Sequence, residues 1–424
     1  MSQASDAEKG LPLIFYKIKR GDTLIKLSRK YLKQSTDLEF IRSLNHLRNI
    51  NLLPEGEVLK IPRSAVKQSP SQATVIALNC AQSIRAGVPP KQIQIGSILR
   101  EGAIIDIPAE CHSAMQLEDG STLRLPSSAA IKIAILRKNA IETTPEVQLD
   151  LIKGRVELDV FKGRAQTTPF EVRTPLSMTG VRGTEFRVGY ETTEQTGQVE
   201  VLAGVVSAKG QNDDEAKPVS KGQGITFDNS GKALPVENLL DAPEFKKAER
   251  INANEEIYDL QFTPVQLANH YTITSGQHVN LLGERLQKAA QITQIKTPPL
   301  NKDAFFYQLA SVSKAGLMGP LQQYGFCFTV NEVKSARCRA TFNTPKTEGT
   351  TITFSLIRHA QSGTQELVST KKLQSHNGQF TIEGLPSGRY TWTMSYTTMR
   401  EGLNPALTKQ SGAFDLFTLT ASTP

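Results

Sequence analysis

Four cysteines fall in two local pairs, Cys80 with Cys111 and Cys327 with Cys338. Neither pair has the CxxC spacing of a zinc or redox site. Oxidised, each pair would close a loop worth roughly 3 to 4 kcal/mol on the chain-entropy model. That would also place the chain in an oxidising compartment. Four buried reduced thiols are the alternative. The six histidines, His46, His112, His270, His278, His359 and His376, form no HxH or HExxH set that could hold a catalytic zinc. His112 follows Cys111, and adjacent residues on a strand point to opposite faces. A GxSxG elbow and a phosphate-cradling glycine loop are both missing. Asp213-Asp214-Glu215 sits among polar residues, with no apolar surround to raise a carboxyl pKa for acid–base work. The expectation is a non-catalytic protein without metal or cofactor.

Length and composition bound the rest. A chain of 424 residues suggests about three domains at roughly 150 residues each. Its hydrophobic fraction of 38%, charged fraction of 21% and mean hydropathy of -0.30 are those of a globular protein. No run reaches the ~18 apolar residues of a membrane helix, so no membrane span is expected. Net charge is +8, from 49 basic and 41 acidic residues. Residues 1–64 alone hold 12 Lys or Arg against 7 Asp or Glu, a balance of +5. Such a segment could meet an anionic polymer; a solvated basic face is the plainer account. Without a Lys/Arg block or an aromatic-interleaved basic stripe, no nucleic-acid partner is expected. Met1 to Gly10 is polar with no apolar leader core, which implies a leader upstream or removed, or a cytoplasmic protein.

The N-terminal elements follow from periodicity. Alternation around Phe15 predicts a strand, and Arg20-Gly21-Asp22 a turn with Asp22 or Thr23 capping a helix. Leu24, Leu27 and Tyr31 mark that helix's buried stripe. Thr36 and Glu39 have capping-box spacing for a second helix, with Leu38, Ile41 and Leu44 inward and Asn45 at its end. Pro54-Glu55-Gly56 then turns the chain into Val58–Pro62. The result is βααβ in about 50 residues.

The order Tyr16-x-Ile18-x-x-Gly21-Asp22-Thr23-Leu24, Asn45, then Pro54-Glu55-Gly56-x-x-Leu59-x-Ile61-Pro62 resembles a LysM domain, a module that binds N-acetylglucosamine polymers such as peptidoglycan. The stretch between Asn45 and Pro54 departs from the commonest form. The resemblance implies a sugar held between two loops, Gly21, Asp22, Thr23 and Leu24 on one side and Asn51, Leu52 and Leu53 on the other. Leu24 and Leu52 would form an apolar rim, and a side chain at Gly21 would fill the groove. Lys26 would lie on the outer helix face. Asp22 and Thr23 as plain helix caps is the simpler alternative.

Residues 65–72 read as a polar linker. Beyond them come closely spaced alternating segments punctuated by glycine, an all-β pattern. Hairpin signals flank Glu118-Asp119-Gly120-Ser121, and Ile131, Ile133 and Ile135 alternate. So do Val147, Leu149 and Leu151, then Val156, Leu158 and Val160, with Gly154 between. Leu117-Glu118-Asp119-Gly120-Ser121-x-Leu123, Phe170-x-Val172-x-Thr174-Pro175 and Val181-Arg182-Gly183-Thr184-Glu185-Phe186-x-Val188 follow the order of the FecR-type periplasmic domain. That resemblance covers about 73–235 and implies a twisted, solenoid-like β body. Arg182 would be a structural donor to turn carbonyls or to Glu185. FecR-type regulators carry a cytoplasmic arm and a membrane helix ahead of this domain. A LysM-like module stands there instead, so anti-sigma activity does not carry over.

Pro235 to Pro243 reads as a second boundary. The segments after it resemble two fibronectin type III or Ig-like sandwiches. In the second, Tyr390 and Trp392 are two apart and share a core face. The expected organisation is multidomain and mainly β: LysM at 13–64, FecR-type at 73–235, and Ig-like units at 244–333 and 336–424. The function implied is a non-catalytic, periplasmic cell-envelope protein that binds peptidoglycan and presents its β domains to an unidentified envelope protein. The alternative is a periplasmic signalling component.

Overall fold

The computed structural model describes residues 12–34, 36, 38–78, 85–86, 91–109, 111–142, 144–163, 168–252, 254–280, 284–289, 294–329, 338–344, 351–360, 364–374, 379–400 and 403–420. The fold is mainly β and multidomain, with a small helical module at its N-terminal end.

That module is βααβ as expected. Strand β1 (Leu13–Lys17) pairs antiparallel with β2 (Val58–Pro62), and α1 (Leu24–Tyr31) and α2 (Leu38–Leu44) lie between them in sequence. Ile14, Tyr16, Leu24, Leu27, Ile41, Leu59 and Ile61 form one core. At the start of α2, the Thr36 hydroxyl donates to the Ala65 carbonyl at 3.2 Å, while the Glu39 carboxylate takes Arg42. The side chains of the expected capping box are thus directed elsewhere.

The next body consists of two sheets around a single hydrophobic core running from Ala73 to Ala233. The long strand Glu146–Asp159 belongs to both sheets: its first half pairs with Ala130–Asn139, its second with Glu185–Glu191. The sequence pattern reads as two strands separated by Gly154. The structure shows one strand that turns from sheet to sheet at that glycine. Its φ is +78°, and a Cβ there would sit 2.7 Å from the Ser128 carbonyl oxygen. After the bend, strands advance in pairs that alternate between layers. Phe170–Arg173 and Ser177–Val181 lie in the first sheet, Glu185–Glu191 and Thr196–Ala203 in the second. Val205–Gly210 and Lys217–Ser220 return to the first, and Gln223–Phe227 to the second. This stepping is the solenoid-like character. The alternation expected at Ile131, Ile133 and Ile135 breaks at a register shift after Ile133, so Leu136 is buried in place of Ile135.

Neither polar stretch is a free linker. Val66 is buried and bridges to Leu32, the Lys67 N–H donates to Tyr31, and Gln68–Pro70 pairs with Arg137–Asn139. Arg63 and Glu142, both nearly inaccessible, form an ion pair at 2.8 Å that fixes the βααβ module to the body. In the second stretch, Glu237–Asn238 pairs with Gln223–Gly224. The carbonyls of Asp241 and Pro243 accept from Ser311 and Tyr324 at 2.7 and 2.9 Å.

The C-terminal part has two hydrophobic cores, one around Tyr258, Phe262 and Phe326 and one around Phe342, Phe354 and Trp392. Each core has its own small second sheet. Their main sheet, however, is shared and eight-stranded. It is joined where the final strand Leu403–Thr420 pairs parallel with Gln322–Thr329. Tyr390 and Trp392 are both buried in the second core. Cys327–Cys338, with Cα atoms 5.9 Å apart, ties the two units together. The other expected pairing, Cys80 with Cys111, involves a cysteine outside the described residues.

The turn Ser313–Pro320 of this C-terminal part lies on the outer face of the body's second sheet. In that sheet Glu157, Arg187 and Glu200 stand opposite one another across three strands. Glu200 accepts the Met318 N–H at 3.0 Å and takes Arg155 at 2.6 Å. The Arg187 Nη2 donates to the Gly319 carbonyl at 2.7 Å. Thr226 donates to Ala315 at 3.0 Å.

Removing one member of the Arg63–Glu142 pair leaves a buried charge without its counterion. Glu142→Ala should therefore cost about 3 kcal/mol in urea unfolding. Native protein should resist trypsin at Lys67, and the variant should be cut there; equal resistance of both would show that the contact does not hold the module.

Candidate functional site

The two loops singled out in the N-terminal module meet. The Leu24 N–H donates to the Ile50 carbonyl at 2.8 Å, joining the turn before α1 to the segment before β2. Gly21 holds the first turn at φ +80°. Asp22 is anchored beneath it: its carboxylate accepts the Lys19 N–H at 2.9 Å and the Tyr16 hydroxyl at 3.0 Å. Burial, then that bond to Asp22, pushes the Tyr16 hydroxyl up to about 12. Thr23 is the helix cap, accepting the Lys26 N–H at 3.1 Å. Asn49 Oδ1 accepts the Asn51 N–H at 2.8 Å, shaping the second loop. Asn45 ties α2 to β2 completely: its amide donates to Ile41 and Lys60 carbonyls and accepts the Lys60 N–H, all within 2.8 Å.

Among the seven predicted contact residues the structure separates two roles. Gly21 and Asn51 are exposed, Asp22 and Thr23 half-buried, and Leu52 is 74% exposed. Leu24 and Leu53 belong to the hydrophobic core, with exposures of 0% and 7%. Their side chains cannot form a rim; the first position of an amphipathic helix is drawn inward by the stripe it starts. The expectation at Gly21 changes as well. A Cβ there meets nothing within 4 Å, so a substitution acts through backbone strain and does not fill a groove. Lys26, placed on an outer face by periodicity, reaches back to donate to the Gly21 carbonyl at 2.9 Å.

Arg182, expected as a structural donor, is exposed and makes no ion pair with Glu185 among the described residues. The fully buried arginine among the described residues of this body is Arg187. Only the inward-facing Phe186 and Val188 on either side of it carry a sequence signal, and these leave it nominally solvent-facing. No group of three or more His, Cys, Asp or Glu that could hold a metal ion occurs among the described residues. No helix there is long and apolar enough to cross a membrane.

Comparison with known families gives these parts names. Residues 16–62 match the family model of the LysM domain, and residues 104–207 match that of the FecR protein. The chain carries a LysM domain followed by a FecR domain, both of families whose members are generally binding or signalling modules. No curated protein sequence matches the chain. Among solved structures, a candidate anti-sigma factor from Parabacteroides distasonis is 22% identical, covering 32% of this chain at a TM-score of 0.26. The match spans 59% of that protein, less than two thirds of its length. The FN1–FN3 domains of chicken CNTN1 are 10% identical over 62% of this chain and 94% of that one, with a TM-score of 0.16.

Burial pushes the His112 pKa down to about 4 by desolvation. The unfolded chain takes up this proton near pH 6.5, the folded one only near 4, so stability falls as pH drops between those values. The full effect is up to about 3 kcal/mol at one pKa unit per 1.36 kcal/mol. His112→Gln should flatten the pH 4–6.5 limb of a urea-denaturation profile. An unchanged limb would mean that other groups carry it.

Proposed function

We propose that this is a non-catalytic envelope protein that binds N-acetylglucosamine-containing glycan, with peptidoglycan as its polymer, through the LysM domain. Its fused β body is then held at the cell wall for a protein partner. The observation that carries this reading is the contact between the Gly21 turn and the Ile50–Leu53 segment, which leaves Leu52 projecting beside exposed backbone. A glycan offers hydroxyls and acetamido groups, and these suit backbone amides next to an apolar ridge. A periplasmic location agrees with the usual extracytoplasmic setting of both families, with the Cys327–Cys338 disulfide, and with the basic balance of residues 1–64 toward an anionic wall.

Because Arg63 and Glu142 bind the module to the body, point variants of the full chain are a cleaner test than deletion. A single shallow groove should bind in the micromolar to millimolar range. Leu52→Asp should weaken retention on purified sacculi at least about tenfold, the 1.4 kcal/mol expected for losing one apolar contact. Gly21→Val should also lose retention, by straining the turn. Circular dichroism must show both variants folded. Wild-type retention by folded Leu52→Asp would remove the groove from the glycan reading and recast the module as a protein-docking domain.

A further inference from the structure

A cavity of about 620 Å³ lies between the second sheet of the FecR-containing body and the shared C-terminal sheet. That volume is in the range of small-molecule sites. None of its lining residues belongs to the LysM domain; they come from three separate parts of the chain. Arg124, Glu157, Glu185, Arg187 and Lys221 come from the body; Gln308, Arg389, Trp392 and Gln410 come from the C-terminal units. Its charged lining is four cations against two carboxylates.

The buried polar atoms of two of these residues point to what would fit. Arg187 has no exposed surface, yet its Nε and Nη1 have no hydrogen-bond partner among the described residues; only Nη2 is used, on the Gly319 carbonyl. Trp392 is 5% exposed, and its Nε1 likewise has none. All three orphaned atoms are N–H donors. A buried donor left unpaired costs about 1–3 kcal/mol, more for a charged group, so such a set is tuned to an acceptor. The amide side chains fit the same pattern. Gln308 spends its oxygen on the Thr274 hydroxyl and Gln410 spends its oxygen on the Asn280 amide, which leaves each NH2 on the lining.

We infer that this cavity binds an acidic saccharide, whose carboxylate meets the arginine-rich wall and whose hydroxyl oxygens accept from the amide and indole N–H groups. An anion alone would use the arginines but not the amides and the indole; a neutral sugar would leave the excess positive charge uncompensated. The site is independent of the LysM groove and does not depend on the glycan reading of that groove.

The chain's single tryptophan lies on this cavity, so its fluorescence reports on the site directly. Titration of the full chain with D-glucuronate should give a saturable change in Trp392 emission and a matching calorimetric isotherm, with glucose and acetate at least about tenfold weaker. Arg389→Gln, an exposed position, should weaken glucuronate at least about tenfold with the melting temperature unchanged. Arg187→Gln should do the same, but it perturbs the domain contact and is read only if folded. Leu52→Asp, in the LysM loop, should leave the signal intact. The inference is overturned if glucuronate gives no saturable change by either method, if acetate matches it, if glucose matches it, or if folded Arg389→Gln binds like wild type.

Discussion

A carboxylate with no exposed surface is tolerable only where donors surround it, and Glu200 is such a group. It stands opposite Arg187 on the outer face of a sheet, takes Arg155 from the strand on Arg187's other side, and receives a backbone N–H from Met318, more than a hundred residues later. Apart, both surfaces would be met by water; together each must replace that water, so Glu200 takes the Met318 N–H and Arg187 the Gly319 carbonyl. Desolvation lowers the Arg187 guanidinium from its ordinary pKa, with Glu200 and Glu157 opposing that shift. The relation between the FecR-containing body and the domains after it rests on this row of charges.

The same logic explains why the chain is less modular than a string of domains. The segment 65–72 continues β pairing from the LysM domain into the body, and 236–243 is bonded on both sides. The last two units share a sheet because a terminal strand crosses from one to the other. The LysM domain is therefore coupled mechanically to the C-terminal units. A module hung on a flexible tether would transmit far less force and orientation.

Within the LysM domain, fixed and available groups are cleanly divided. Asn45, Asp22, Thr23 and Tyr16 spend their polar atoms on holding α1, α2 and the two strands in place. Leu24 and Leu53 spend their side chains on the core. Of the seven loop residues, Gly21, Asn51 and Leu52 are the ones left exposed.

How much of this was legible in sequence depends on the range of the interaction. The βααβ order, the hairpin at Gly120, the buried valine rows and the shared face of Tyr390 and Trp392 are set by periodicity and turn chemistry within a few residues, and the sequence determined them. The two LysM loops were legible as loops, but the inward turn of Leu24 needed the helix axis, which only packing fixes. Gly154 was legible as a break; whether the strand ends or bends there depends on the approach of Ser128, in the turn before the strand Ala130–Asn139. Arg187 and Glu200 alternate with core apolar residues, Phe186 and Val188 around one and Val199 and Val201 around the other, and so occupy positions that local pattern assigns to solvent. Their burial comes from a turn some 120 residues away, and no local periodicity encodes a surface that a distant part of the same chain will cover.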